Sequence, residues 1–196
     1  MQLYLPGIAN GNQVIFQKYN AVNKHGITLA LSASDSAPSG SIHMFVTSGS
    51  SVLSSSMTVE KEKFNHICCT WNRIPSKNKI QMWRNAELMS ESPNSNRIGL
   101  LTFNDNSLLI GSGSTHAVKD YNTDEQFFTP SETLYVSIDE LRVWHAIRKQ
   151  KLQQKYQTQV LYSEKNLVLY YKFNEPTGSH GLESVVLDSS GNSLHS

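Results

Sequence analysis

Cysteine is almost absent from this chain: its 196 residues include only Cys68 and Cys69, side by side. Neighbouring residues on a strand point to opposite faces, so these two thiols cannot bridge each other without severe distortion. A disulfide framework is therefore excluded. The pair reads as buried thiols acting as small apolar residues, with a metal or redox pair as the alternative. Secreted eukaryotic domains more often carry disulfides, which points to assembly in a reducing cytoplasm.

Excess charge is lacking too. Seventeen Lys and Arg against sixteen Asp and Glu leave a net charge of +1. No basic run concentrates on one stretch, so nucleic acid is not an expected partner. No apolar stretch approaches membrane-spanning length, and the N-terminus does not have the shape of a signal peptide. Membrane insertion is not expected, and any secretion signal would lie outside this sequence. Catalytic signatures are missing as well: there is no Gly-x-Ser-x-Gly elbow and no His-Glu-x-x-His. Cys68 on a buried strand makes a poor thiolate nucleophile.

What remains is strand after strand. QVIFQKYN (13–20), GITLALSA (26–33), SIHMFVT (41–47) and a Ser-rich run from Ser51 to Val59 recur with turn residues between them, the signal of an all-β sandwich. The Ser-rich run reads as an edge strand. FNHICCTW (64–71) alternates, with Ile67, Cys69 and Trp71 on one face and His66, Cys68 and Thr70 on the other. Lys79–Arg84 and Glu87–Ser90 read as two strands around a turn at Asn85-Ala86. Ala tolerates positive φ poorly, so this turn is expected to be wider than two residues. Leu108–Gly111 is short and apolar. HAVKDYNTDEQFFT (116–129) is a long polar excursion, and loops of such length are commonly functional or mobile. LVLYYKF (167–173) is a further strong strand.

IDELRVWHAIRKQKL (138–152) holds the chain together. Ile138 to Trp144 reads as one strand. Ile147, Leu152, Tyr156 and Val160 then recur at helical spacing and predict a short helix. Asp139 and Glu140 on adjacent strand positions face opposite ways, so at least one needs a partner; the pair reads as structural. His43, His66 and His145 lie in strand-like runs and also read as structural.

The order of these segments resembles the laminin-G-like, pentraxin-like branch of the concanavalin A-like jelly rolls. QVIFQKYN resembles the family's early I-x-x-K strand. FNHICCTWN with KIQMWRNAEL resembles its W-H-H-V-A-x-T-Y-D hairpin, although Phe64 replaces Trp and Asn85-Ala86 replaces Asp-Gly. LLIGSGS resembles its L-x-I-G strand, and IDELRVWHAIRKQKL its I-D-E-V-R-I-Y segment. The resemblance implies a β-sandwich of two antiparallel sheets over residues 1–160, with its first strands apparently missing. LVLYYKFNEPTG…VLDSSGNSLHS, in 161–196, resembles the family's opening segment. It is either the start of a following module in a longer protein, which is favoured, or a strand that completes this sandwich or a neighbour's.

Glycosidases of this broad class carry Glu-x-Asp-x-Glu on one strand face, and no such triplet occurs, so an enzyme is not expected. Relatives of this kind often bind sugars or proteins through rim loops around calcium. The resemblance thus makes Ca²⁺ the implied cofactor, with Asp120, Asn122 and Asp124 as metal ligands and Glu125, or Asn104 and Asp105, as further oxygen donors. Trp83, Asp120, Tyr121 and Asp124 are the ligand-binding candidates, Tyr121 through stacking on a sugar ring. The alternative for that loop is a solvated turn. Trp71 and Trp144 are expected in the core. The implied function is a noncatalytic carbohydrate-binding or adhesion module of a larger surface or virion protein, in the style of bacteriophage tail, fibre or capsid-decoration proteins. The alternative is a structural sandwich that cements neighbouring subunits, as a homo-oligomer or in a larger assembly.

Overall fold

A computed structural model describes residues 1–74, 78–95, 97–118, 126–148, 165–174 and 186–191. Two five-stranded antiparallel sheets dominate. The first orders β12 (Ser137–Asp139), β1 (Gln2–Tyr4), β6 (Phe64–Asn72), β7 (Lys79–Arg84) and β8 (Glu87–Glu91). The second orders β5 (Ser51–Glu60), β4 (Ser39–Ser48), β3 (His25–Ala33), β2 (Gly11–Asn20) and β9 (Leu108–Ile110). The Ser-rich strand β5 lies at a sheet edge, as its composition predicts. Two small pairs complete the described elements: β10 (His116–Ala117) with β11 (Phe127–Phe128), and β13 (Leu141–Trp144) with β14 (Leu167–Tyr171).

Alternation builds the core. Leu29, Leu31, Ile42 and Val46 of the second sheet meet Leu3, Ile67, Ile80 and Met82 of the first in one buried cluster. Each such side chain, fully buried, contributes about 1.5–3 kcal/mol of apolar transfer. A bulge between Val14 and Phe16 breaks strict alternation in β2. It sends Val14 to the outer cluster and lets both Ile15 and Phe16 face the core. Beyond the end of β5, Lys61 is buried, and its ammonium donates to the carbonyls of Gly7 at 2.7 Å, Ala9 at 3.0 Å and Ser34 at 2.8 Å. Three donors meet three acceptors, which clips two loops to that strand end.

Two expectations need correction. The turn at Asn85-Ala86 is not wide: Arg84 pairs with Glu87, and both turn residues hold positive φ, at 51° and 63°. Ala86 accepts the left-handed strain because its methyl is buried and Asn85 is fastened to β6, its Oδ1 accepting from His66 N at 2.9 Å. Nor is Ile138–Trp144 one strand. Glu140 adopts a φ of 57°, which splits the run: β12 pairs with β1, and β13 pairs with β14. The Glu140 carboxylate accepts from both the Arg142 guanidinium and the Tyr170 hydroxyl, and Arg142 lies over the Tyr170 ring at 4.5 Å. Burial first, then this hydrogen bond, pushes the Tyr170 hydroxyl up to about pKa 12. Glu140 is thus satisfied locally, as a structural acid would be.

There is no helix among the described residues. Most of the predicted helix, from residue 149 onward, lies outside them, as do residues 161–164, 175–185 and 192–196 of the tail. No helix of the described residues is long and apolar enough to cross a membrane.

Candidate functional site

The polar excursion at 116–129 is not structureless at its ends. His116 pairs with Phe128 and Ala117 with Phe127, and Val118 N donates to Gln126 O at 2.8 Å. Asp120, Tyr121, Asn122, Asp124 and Glu125 all lie outside the described residues.

The base of that hairpin is seated on the outer face of the second sheet. Cross-strand register places Gln17, Thr28, Phe45 and Ser54 in one row, and Val14, Ala30, His43 and Ser56 in the next. Side chains opposite each other on neighbouring strands share a face, so the rows present polar ends around an apolar middle. Phe128 and Val118 close over that middle, against Val14, Ala30 and Phe45. The rings pack closely: Phe45 lies 5.9 Å from Phe128 and 5.2 Å from His116, and His43 stacks on Phe45 at 5.9 Å.

Gln17 is the anchor. Its Nε2 donates to Thr28 Oγ1 at 3.2 Å and Ser114 O at 3.1 Å, and lies 3.3 Å from His116 Nδ1. Its Oε1 accepts from Ser114 N at 2.7 Å. Every polar atom of one buried amide is used to fix the start of the hairpin. Burial lowers the pKa of both His43 and His116, so both rings are neutral at pH 7.

Beside this aromatic wall runs a shallow trough of about 290 Å³, lined by His43, Phe45, Ser54, Ser56, Glu91 and the Ser55–Ser90 pair. Ser55 and Ser90 satisfy each other at 2.7 Å. Ser54 and Ser56 are exposed and carry hydroxyls without a partner in the structure. A hydrogen bond from Lys79, at 2.6 Å, and one from Gln81 hold the Glu91 carboxyl below its ordinary pKa, so it stays an acceptor. The trough offers hydroxyls, a carboxylate and an aromatic flank. Phe127, 52% exposed, stands next to Phe128 on the same hairpin.

The other candidates fall elsewhere. Trp83 lies on the first sheet, opposite Cys68 and Leu88, and its indole nitrogen is buried without a partner. It does not line the trough. Asn104 and Asp105 are exposed on a turn closed by Asn106 N donating to Phe103 O at 3.1 Å. Among the described residues no three His, Cys, Asp or Glu side chains gather as a metal site. Trp71 packs against the main core, while Trp144 is half-buried under the Arg148 guanidinium at 3.9 Å. His66 is buried and His43 half-buried on the outer face, but His145 is exposed. Cys68 and Cys69 are unbridged, and burial pushes both thiols up in pKa, which makes them inert.

Phe45, His116 and Phe127 were not singled out as site residues by sequence reasoning. Alternation puts His43 and Phe45 on one face of β4, but nothing local to that strand tells which hairpin will cover it. A comparison with curated proteins returns no significant match. The Laminin_G_3 family model, described as the concanavalin A-like lectin/glucanases superfamily, matches residues 3–151. That match covers most of the chain and agrees with the two packed antiparallel sheets, and so the chain belongs to the laminin-G-like family of the concanavalin A-like lectin/glucanase superfamily.

Proposed function

We propose that this domain is a noncatalytic glycan-binding module whose ligand lies in the trough between β5 and β8, beside the aromatic wall of His43 and Phe45. The superfamily fits a carbohydrate-binding or a structural module, and laminin-G-like domains are generally noncatalytic. One observation favours the glycan: two unpartnered hydroxyls, Ser54 and Ser56, and an ionised Glu91 line a trough flanked by Phe45 and His43. Sugars are recognised by this combination of directional polar groups and aromatic surface. Calcium held by Asp120, Asn122 and Asp124 belongs to the same proposal, with Tyr121 stacking beside it. So does display on a virion or cell surface as part of a larger assembly, for which the unbridged thiols suit assembly in a reducing compartment.

A glycan array probed with Ca²⁺ and again with chelator tests the reading. Binding is expected, and Ser54→Ala with Ser56→Ala is expected to weaken it at least about tenfold without loss of fold. No binding under either condition, together with a large contact on a neighbouring subunit, establishes the subunit-cementing role instead.

A further inference from the structure

The trough presents main chain as well as side chains. β5 is the outermost strand of the second sheet, and its register with β4 fixes which of its backbone groups are used. Immediately after β5, Lys61 N donates to Pro38 O at 3.1 Å, so Lys61 bonds toward the β4 side. Bonded and non-bonded positions alternate along an antiparallel ladder. Val59, Met57 and Ser55 therefore bond to β4, while Thr58, Ser56 and Ser54 turn their N–H and C=O groups away from it. Thr58 agrees with this phase: its carbonyl accepts from the Arg84 guanidinium of the first sheet at 3.0 Å. The backbone groups of Ser54 and Ser56 have no partner in the structure, and both residues are exposed.

The charge of the trough is one-sided. Glu91 is the one charged side chain among the described residues that line it, and His43 is neutral at pH 7. Lys79 is bonded to Glu91 and Arg84 to Thr58 O, and neither lines the trough. The strand edge therefore offers two N–H donors, two carbonyl acceptors and two hydroxyls that act as either. A sugar hydroxyl both donates and accepts, so neighbouring hydroxyls can meet an N–H and a C=O on the same edge. A carboxylate or sulfate only accepts. It would leave the carbonyls unmet and would lie against the Glu91 carboxylate.

We propose that the trough selects neutral glycans, whose hydroxyls pair with the edge main chain of Ser54 and Ser56, and rejects sulfated, sialylated and uronic-acid-bearing glycans through Glu91. This rests on the reading of the trough as a glycan site. Rejection is the repulsive half of specificity: like charge and unmet carbonyls stand against the wrong ligand.

The test prints neutral oligosaccharides of hexose and N-acetylhexosamine on one array with their sulfated, sialylated and uronic-acid-bearing counterparts. Neutral members are expected to bind at least about tenfold more tightly than their acidic counterparts. Glu91→Gln removes the negative charge and frees Lys79, and is expected to strengthen binding of the acidic set at least about threefold. Titrating the best-bound neutral oligosaccharide into the wild-type protein is expected to slow amide exchange at Ser54 and Ser56, and to leave Ser55 and Met57, already bonded to β4, as they were. Acidic glycans bound as tightly as neutral ones, or a Glu91→Gln variant with unchanged preference, overturn the selectivity and leave the glycan reading standing. Binding that leaves the Ser54 and Ser56 amides unprotected overturns the main-chain role. Absence of binding by every member of the array overturns the glycan reading itself, and this proposal with it.

Discussion

The two faces of this sandwich solve the same problem differently. In the second sheet, β3 pairs with β4 over eight residues and β4 with β5 over ten, without interruption, and a hairpin lid covers the outer aromatic patch. In the first sheet, β1 and β12 are three residues long, the chain bends at Glu140, and a cavity lies beside β6. The contrast teaches that long, continuous strand pairing needs few side-chain ties, whereas short strands and a bend depend on contacts such as that of Glu140 with Tyr170. Packing is spent on one side and withheld on the other.

Acid distinguishes the two halves most strongly. Burial first, and nearby positive charge second, lowers the pKa of His66 from 6.5 to about 4. The unfolded chain binds that proton from about pH 6.5 downward, while the folded protein resists it to about pH 4. Stability is therefore complete above pH 6.5 and falls as pH drops through that window, by on the order of 3 kcal/mol for His66. His43 and His116 shift in the same direction and add to the loss from the second sheet. Urea midpoints across pH 7 to 4 give the slope; His66→Gln is expected to remove a large share of it.

Lys61→Met is expected to cost about 2–4 kcal/mol, because a donor shared by three carbonyls is lost at the regular end of the molecule. A urea denaturation midpoint reads it. Tyr170→Phe should cost about 1 kcal/mol and act only on the irregular side, where its hydroxyl joins Glu140 and Arg142. Faster amide exchange in β13 and β14, with β3 and β4 unchanged, would sharpen the comparison; equal acceleration in both sheets would break it. Smallest of all, Glu62→Gly should stabilise by about 0.5–1 kcal/mol, since Glu62 is exposed and holds a φ of 60°.

How much of this could be read from the residues follows the same division. GITLALSA and SIHMFVT alternate cleanly, and the structure extends each by only one or two residues at an end. Ile138–Trp144 also looks like a clean strand, because nothing in Asp139-Glu140 announces a left-handed residue. The break is stabilised by Tyr170, thirty positions away, and a local pattern cannot report a partner at that range. Asn85-Ala86 misled for a related reason: the cost of a left-handed Ala is local, but the burial and the Asn85 clip that offset it are tertiary. At the trough, serines, His43 and Phe45 each had an ordinary structural reading; only sheet register brings Ser54 beside Phe45 and Ser56 beside His43. The acids of 119–125 remain the part of the site that rests on the family resemblance.

The central claim is that the long, continuously paired second sheet is the more stable half of the sandwich, and residue-resolved amide exchange tests it directly. Amides of β3 and β4 should exchange more slowly, by orders of magnitude, than those of β13 and β14. Equal protection in the two pairs would contradict the account.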